Sequence, residues 1–159
     1  MTMTFQAIGD PELNSLYRYW KSKCNNRVMP QRADINPSEI RSLLPDIFIV
    51  EICCPMRFRL RLVGSMICKR WHEDNTGKWL DELDYDGERA TVIEQFSAVA
   101  RTGVPRCDIA EFVGDNGRYL HYWRLLLPVS EDGVTPNMMI GMQKAIGIDG
   151  YKVRAPKWI

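Results

Sequence analysis

Apolar residues recur at helical spacing in the first part of the chain and at strand spacing later. From Leu13 to Cys24 they return every three or four residues, which predicts one face of a helix. Asp10-Pro11-Glu12 is a typical helix start, because Asp can cap free amides and Pro fits the first turn. A short second helix is expected over residues 36–44, ending before Pro45.

The spacing then changes to that of extended chain. Residues 47–52 are mostly β-branched or aromatic and apolar on both faces, which predicts a central strand. Residues 56–64 alternate apolar side chains with Arg57, Arg59 and Arg61, and we expect them to complete an antiparallel hairpin. The arginines could hold phosphates or acidic partners, but protection of an outer strand is favoured, with Glu51 pairing across the hairpin.

After residue 64, short helical turns and loops are expected up to about residue 83. A helix is predicted over residues 87–101, closed by Gly103. Strands over residues 106–113, 119–127 and 137–146 follow, with a turn at Gly114-Asp115-Asn116-Gly117.

This order of elements predicts an α+β fold: one five-stranded antiparallel sheet with helices packed on one face, preceded by an N-terminal helix. The strand over residues 119–127 is apolar on both faces, so the second face also needs a cover. Either the N-terminal helix or a second copy of the chain could supply it.

Composition narrows the class of protein. A chain of 159 residues and 18.4 kDa suits one domain. Its formal charge of +1 produces no long-range electrostatic field that would attract nucleic acid or anionic lipid. No apolar stretch approaches the roughly 20 residues that span a bilayer, and no secretory signal precedes the first helix. We therefore expect a cytoplasmic protein. Its five cysteines include no Cys-x-x-Cys pair, so reduced thiols and no metal site are predicted.

Several short motifs resemble those of a bacterial family of single-domain PAS-like sensory proteins of unknown function. The matching residues are Trp20, then Pro30, Arg32 and Asp34, then Leu43, Leu44 and Pro45, then Arg61 and Gly64, and more weakly Gly77, Pro105, Gly117 and residues 125–128. The resemblance implies a signalling module rather than an enzyme. It implies an N-terminal extension over residues 1–45, a PAS-like domain over 46–148 and a tail over 149–159.

PAS-like domains often hold a small molecule between the sheet and its helices, so the resemblance also implies a pocket. The residues expected to line it, if they are not simply core, are Phe58, Leu60, Phe96, His121 and Trp123. Haem is not expected, since His72 stands alone beside Trp71. Flavin is not expected either, since the Asn-Cys-Arg-Phe motif of flavin photoreceptors is missing.

Protein contact is the expected output, through a homodimer and an unidentified signalling partner. The candidate surface residues are Leu13, Tyr17, Trp20, Arg32 and Asp34. The alternative function is a small isomerase or dehydratase with a cone-like pocket. It would use His121 with Asp108 or Glu111 for proton transfer, and would need both groups on one face of the sheet.

Overall fold

The computed structural model describes residues 10–85, 87–113 and 119–146. The strands are β1 (Ile47–Cys53), β2 (Arg57–Val63), β3 (Arg106–Val113), β4 (Tyr119–Val129) and β5 (Met138–Ala145). The helices are α1 (Pro11–Lys23), α2 (Ser65–Trp71) and α3 (Arg89–Thr102), with 3₁₀ segments at Arg32–Asp34, Pro37–Asp46 and Leu80–Glu82. All strand pairs are antiparallel, in the order β2-β1-β5-β4-β3. No helix within these ranges is long and apolar enough to cross a membrane.

The start and end of α1 follow from its sequence. Asp10 Oδ1 accepts hydrogen bonds from the amides of Glu12 (2.9 Å) and Leu13 (3.0 Å), as a capping aspartate does. Asn25 and Asn26 then adopt left-handed backbone angles, with φ of 49° and 65°. Asparagine tolerates this conformation better than most residues, so the helix ends where the sequence predicts.

Helices cover both faces of the sheet. The face under α1, called the α1 face, has a core of Leu13, Leu16, Trp20, Leu125, Leu127 and Met142. The face under α2 and α3, called the cavity face, has a core of Phe48, Val50, Phe58, Val92, Phe96 and Leu126. The five-stranded sheet and the N-terminal helix are thus confirmed. Of the two covers considered for the second face, α1 of the same chain provides it.

Two local predictions differ from the structure. The second helix is a 3₁₀ segment that breaks at Ile40 (φ −121°) and continues through Pro45 to Asp46. Residues 64–83, expected as short helical turns and loops, contain α2, a seven-residue α-helix that is more regular than expected. The predicted turn at residues 114–117 and the tail over 149–159 lie outside the described residues.

The outer edge of β2 is covered. The amide of Leu60 donates to the carbonyl of Lys78 (2.9 Å), and the amide of Gly77 donates to the carbonyl of Leu60 (2.7 Å). Arg59 lies opposite Glu51 and pairs with it at 2.9 Å, as predicted for the hairpin. The β2 edge is therefore closed by backbone hydrogen bonds as well as by charge.

Candidate functional site

A cavity of about 210 Å³ lies between the cavity face of the sheet and helices α2 and α3; we call it the central cavity. Its apolar wall includes Phe48, Leu60, Ile67, Leu80, Val92 and Phe96. A second space of about 290 Å³, the side cavity, adjoins it along α3. The two share Trp71, Tyr85, Val92 and Arg124 as lining residues. These four side chains therefore form the boundary between the cavities.

Two glycines shape this region by close approach. At Gly141 of β5, a Cβ would lie 2.0 Å from Cζ of Phe48, so the missing side chain leaves room for the Phe48 ring over the sheet. At Gly64, a Cβ would lie 2.3 Å from the carbonyl oxygen of Pro45. Only glycine lets the turn from β2 into α2 pack this closely against the Pro37–Asp46 segment. This contact gives a physical reason for the glycine of the Arg61/Gly64 motif.

The polar part of the wall comes from β4, β5 and their neighbours. Arg124 is 3% exposed and donates from Nη1 to Gln95 Oε1 (3.1 Å) and from Nη2 to the Tyr122 hydroxyl (3.0 Å). Gln143 lies opposite Arg124 in the β4–β5 register, and its Oε1 accepts a hydrogen bond from Trp71 Nε1 (3.2 Å). The wall thus combines a buried cation with an oriented amide.

Tyr85 adds a neutral phenol to this wall. Burial raises the pKa of its hydroxyl well above the ordinary value, although the positive charge of Arg124 lowers it in part. The hydroxyl therefore stays protonated across the physiological range and can act as a hydrogen-bond donor.

The structure brings only some of the predicted pocket residues to the cavity. Leu60 and Phe96 line it, and Phe58 packs beside Phe96 with ring centroids 5.8 Å apart. His121 and Trp123 are not brought there, because odd-numbered positions of β4 face α1. That part of the prediction is corrected by the alternation of side chains along the strand.

The same alternation tests the enzyme alternative. Asp108 lies opposite Arg124 in the β3–β4 register, whereas His121 lies opposite Glu111. Asp108 and His121 are therefore on opposite faces of the sheet, and Asp108 instead binds Arg106 through two hydrogen bonds of 2.5 and 3.1 Å. The proposed pairing of Asp108 with His121 is wrong. Glu111 has the backbone register that a pairing with His121 needs. His121, however, is at an odd-numbered position of β4, on the face that α1 covers and away from the central cavity.

Most of the candidate surface residues on α1 are internal. Leu13 is fully buried and Trp20 is 3% exposed. Trp20 Nε1 donates to the carbonyl of Pro128 on β4 (2.7 Å), and Tyr17 stacks on the indole with centroids 5.9 Å apart. Leu13 and Trp20 hold α1 on the sheet within one chain, so they are not part of an exposed interaction surface.

The loop after α1 is held by backbone hydrogen bonds to Ser130, the residue that follows β4. Ser130 donates its amide to the carbonyl of Pro30 (3.1 Å) and accepts from the amide of Arg32 (2.9 Å) at its own carbonyl. The Asp34 carboxylate pairs with Arg27 and accepts from the amide of Gln31 (2.8 Å). Asp34 therefore orders the loop. The Arg32 side chain is 65% exposed and lies 3.8 Å from Glu131, so it remains available at the surface.

An ion-pair chain, which we call the Asp46 link, joins the two helical layers. Arg70 at the end of α2 pairs with Asp46 (2.6 Å), which also lies 3.3 Å from Lys144 of β5. Lys144 in turn pairs with Glu12 in the first turn of α1 (2.8 Å). Helices on opposite faces of the sheet are thus connected through one buried carboxylate.

Metal ligands do not gather in the described part of the chain: no group of three or more His, Cys, Asp or Glu side chains could hold an ion there. All five cysteines are free, and none of them is among the described residues lining either cavity. His72, considered for haem, is exposed at the C-terminal end of α2 in a left-handed conformation.

Comparison with solved structures shows the fold. The chain is similar to the Rhodobacter sphaeroides LOV protein, with 13% identity, a TM-score of 0.54, and 71% of this chain and 69% of that one covered. It is also similar to the PAS domain of Bordetella pertussis BvgS, at 18% identity and a TM-score of 0.52, covering 70% and 86%. Another similar structure is a light-oxygen-voltage domain with a flavin analogue, at 9% identity and a TM-score of 0.55, covering 69% and 85%.

These neighbours do not support the expectation that flavin is absent. At such low sequence identity, however, the similarity shows a shared fold and nothing more. A flavin held in the central cavity would meet the Arg124 guanidinium and the Gln143 amide as donors. It would have no thiol beside it among the described lining residues.

Comparison with curated proteins gives no match. The family model of the PAS domain, however, matches residues 9–144, which include α1, its loop, β1 to β4, and all of β5 except its last residue. The cavity between sheet and helices, the strand order and this match agree, and the chain belongs to the PAS domain family.

Proposed function

We propose that this PAS domain is a sensory module that binds a small molecule in the central cavity. The observation that carries the proposal is the composition of the cavity wall, where apolar side chains surround buried Arg124 and Gln143. Apolar surface supplies affinity in ligand sites, and a few polar groups fix the ligand's orientation. A core built only for packing would have no need of a cation and an amide at this point.

The size of the site suits a small ligand. The central cavity alone, at about 210 Å³, is below the roughly 300–1,000 Å³ of common ligand sites, but the adjoining side cavity adds about 290 Å³. Trp71 and Tyr85 stand between the two spaces. A rotation of either side chain would join them, so a ligand larger than the central cavity could be admitted.

Binding would be communicated by a change in how the helices pack. α2 and α3 together supply Ile67, Trp71, Val92 and Phe96 to the cavity wall. A ligand that prefers one arrangement of these helices would shift the population toward it. The signal would then pass to another protein by surface contact.

Native mass spectrometry of protein purified under mild conditions tests the proposal. We expect a discrete bound mass on the unmodified protein, lost in Val92→Phe, because the larger side chain would occupy the boundary between the cavities. Val134→Phe is the matched control, since Val134 is 71% exposed. A protein that carries no mass and gains no thermal stability from any fraction of a metabolite extract would contradict the proposal.

Homodimerisation stays a prediction. Since Leu13 and Trp20 are buried, a dimer would have to use exposed groups such as Arg32 and Leu62, which line one groove on the α1 face. The same native mass spectra measure it: a monomer at the highest concentration studied would contradict a homodimer while leaving ligand binding unaffected.

A further inference from the structure

Arg124 is a buried cation without an ionic partner in the described part of the chain. Two other arginines near the helical layer are paired with carboxylates: Arg57 with Asp81 and Arg70 with Asp46. None of the ion pairs formed within residues 10–85, 87–113 and 119–146 includes Arg124, although only 3% of the residue is exposed. A buried charge without a counter-charge is strongly unfavourable.

The groups that do contact Arg124 are neutral. Gln95 and Tyr122 each accept one hydrogen bond from it, and the rings of Phe96 and Tyr122 lie 5.7 and 5.6 Å from its guanidinium carbon. An arginine has five N–H donors, and these two hydrogen bonds use two of them. The contacts fix the direction of the guanidinium and lessen its desolvation, but they leave its charge unbalanced.

The surrounding wall indicates what would balance it. Arg124 is the one Lys or Arg among the described residues that line either cavity, so a single negative charge matches the site. Glu73 and Asp84 line the same central cavity and Glu88 lines the side cavity, and these carboxylates would repel a dianion such as a phosphate monoester more strongly than a monoanion. A carboxylate can accept two parallel hydrogen bonds from a guanidinium, which is the geometry that arginine favours.

The rest of the ligand would contact aromatic side chains. Trp71, Tyr85 and Phe96 line the central cavity, and flat groups pack well against such rings. Gln143 lies beside Arg124 on the neighbouring strand, with its Oε1 taken by Trp71, so its NH2 group can donate to a second acceptor on the ligand. We propose that the central cavity binds a small, flat organic monocarboxylate whose carboxylate pairs with Arg124. This rests on the proposed function, because it names the ligand class of the same cavity.

The test compares carboxylates with uncharged analogues of the same shape. The probes are benzoate, phenylacetate and indole-3-acetate, each beside its primary amide, with binding measured by isothermal titration calorimetry and by the shift in melting temperature. We expect at least one carboxylate to bind at least tenfold more tightly than its amide. We further expect Arg124→Met to weaken that binding at least tenfold.

A second readout separates this role from a structural one. Without ligand, Arg124→Met should melt at the same temperature as the unmodified protein or higher, because the substitution removes an unbalanced buried charge. A lower melting temperature would mean that Arg124 stabilises the empty fold, and would overturn the inference. Arg101→Met is the matched control, since Arg101 is exposed and pairs with Glu94. Failure of Arg124→Met to fold would count as the same contrary result. Arg124→Lys keeps the charge without the two-pronged geometry, and should fold and weaken carboxylate binding less than tenfold.

The failures of the two proposals are distinguishable. If amides bind as tightly as carboxylates, or if the molecule that copurifies with the protein is neutral, the cavity is a ligand site but the monocarboxylate assignment is wrong. If no probe binds and no copurifying mass is lost in Val92→Phe, the ligand site itself is wrong.

Discussion

Trp20 should be one of the largest single contributors to stability, because it attaches α1 to the sheet. Its indole is 3% exposed and its Nε1 donates to the Pro128 carbonyl at 2.7 Å. Replacing a buried Trp by Ala costs about 3–5 kcal/mol through lost contacts and the cavity left behind. Trp20→Phe keeps much of the ring but leaves a buried carbonyl without its donor, which costs about 1–3 kcal/mol.

Urea denaturation followed by far-ultraviolet circular dichroism measures both changes without depending on tryptophan fluorescence. Trp79→Phe is the control: Trp79 is half-buried, and its Nε1 donates no hydrogen bond within the described part of the chain. We expect the control to lose less than about 1 kcal/mol.

Two results would refute this reasoning. A loss below about 1 kcal/mol for Trp20→Ala would mean that α1 is not docked on the sheet. A loss that shrinks with dilution of the protein would mean that Trp20 packs against a second copy of the chain, since only an intermolecular contact makes stability depend on concentration.

Three further predictions concern other sites. Gly141→Ala would force the Phe48 ring toward the central cavity. It should lower the free energy of unfolding, measured by urea denaturation, by about 1–3 kcal/mol. An unchanged free energy would mean that Phe48 can move without cost. Hydrogen bonds from Ser130 and from backbone amides lower the pKa of the Asp132 carboxyl to about 2. The stability that this carboxylate contributes is therefore fully present above its unfolded pKa of about 3.9, and is lost as the pH falls through about 2. Asp132→Asn should therefore flatten the fall in melting temperature over that pH window, and an unchanged profile would contradict this. Burial raises the pKa of the Cys107 thiol to about 12, whereas Cys54 is exposed. At pH 8 a thiol reagent should therefore label Cys54 in the native protein and leave Cys107 unlabelled until the protein unfolds. Peptide mapping measures this labelling, and equal labelling of both cysteines would be the contrary result.

The strands and α1 could be predicted because their signals are local. Asp10 and Pro11 define a helix start, and the alternation of apolar and arginine residues in β2 defines a strand, without information from distant residues. α2 was harder, because its seven residues are too few to show a clear apolar period. Its position depends on Gly64 packing against the Pro45 carbonyl, which is a contact between separate segments.

The cavity residues were predicted less well, for a related reason. Alternation along β4 shows that Trp123 and Leu125 share a face, but it cannot say whether α1 or α3 covers that face. His121 and Trp123 were therefore assigned to the wrong layer. Arg124 was missed because a single arginine in a strand usually faces solvent. Its apolar neighbours on both faces of β4 were the available signal, since a strand covered on both sides leaves no solvent for a charge.

The Asp46 link makes the two helical layers mechanically dependent on each other. Trp71 lines the central cavity, and its chain neighbour Arg70 binds the carboxylate that also neighbours Lys144. If α2 moves to admit a ligand, Arg70 either draws Asp46 with it or gives up a buried ion pair, and in both cases the charge environment of Lys144 changes. Lys144 also pairs with Glu12 in the first turn of α1. The ion pair at the start of α1 would therefore change when a ligand fills the cavity on the opposite face of the sheet. The base of α1 would then serve as a reporter of occupancy, connected by charge rather than by apolar packing.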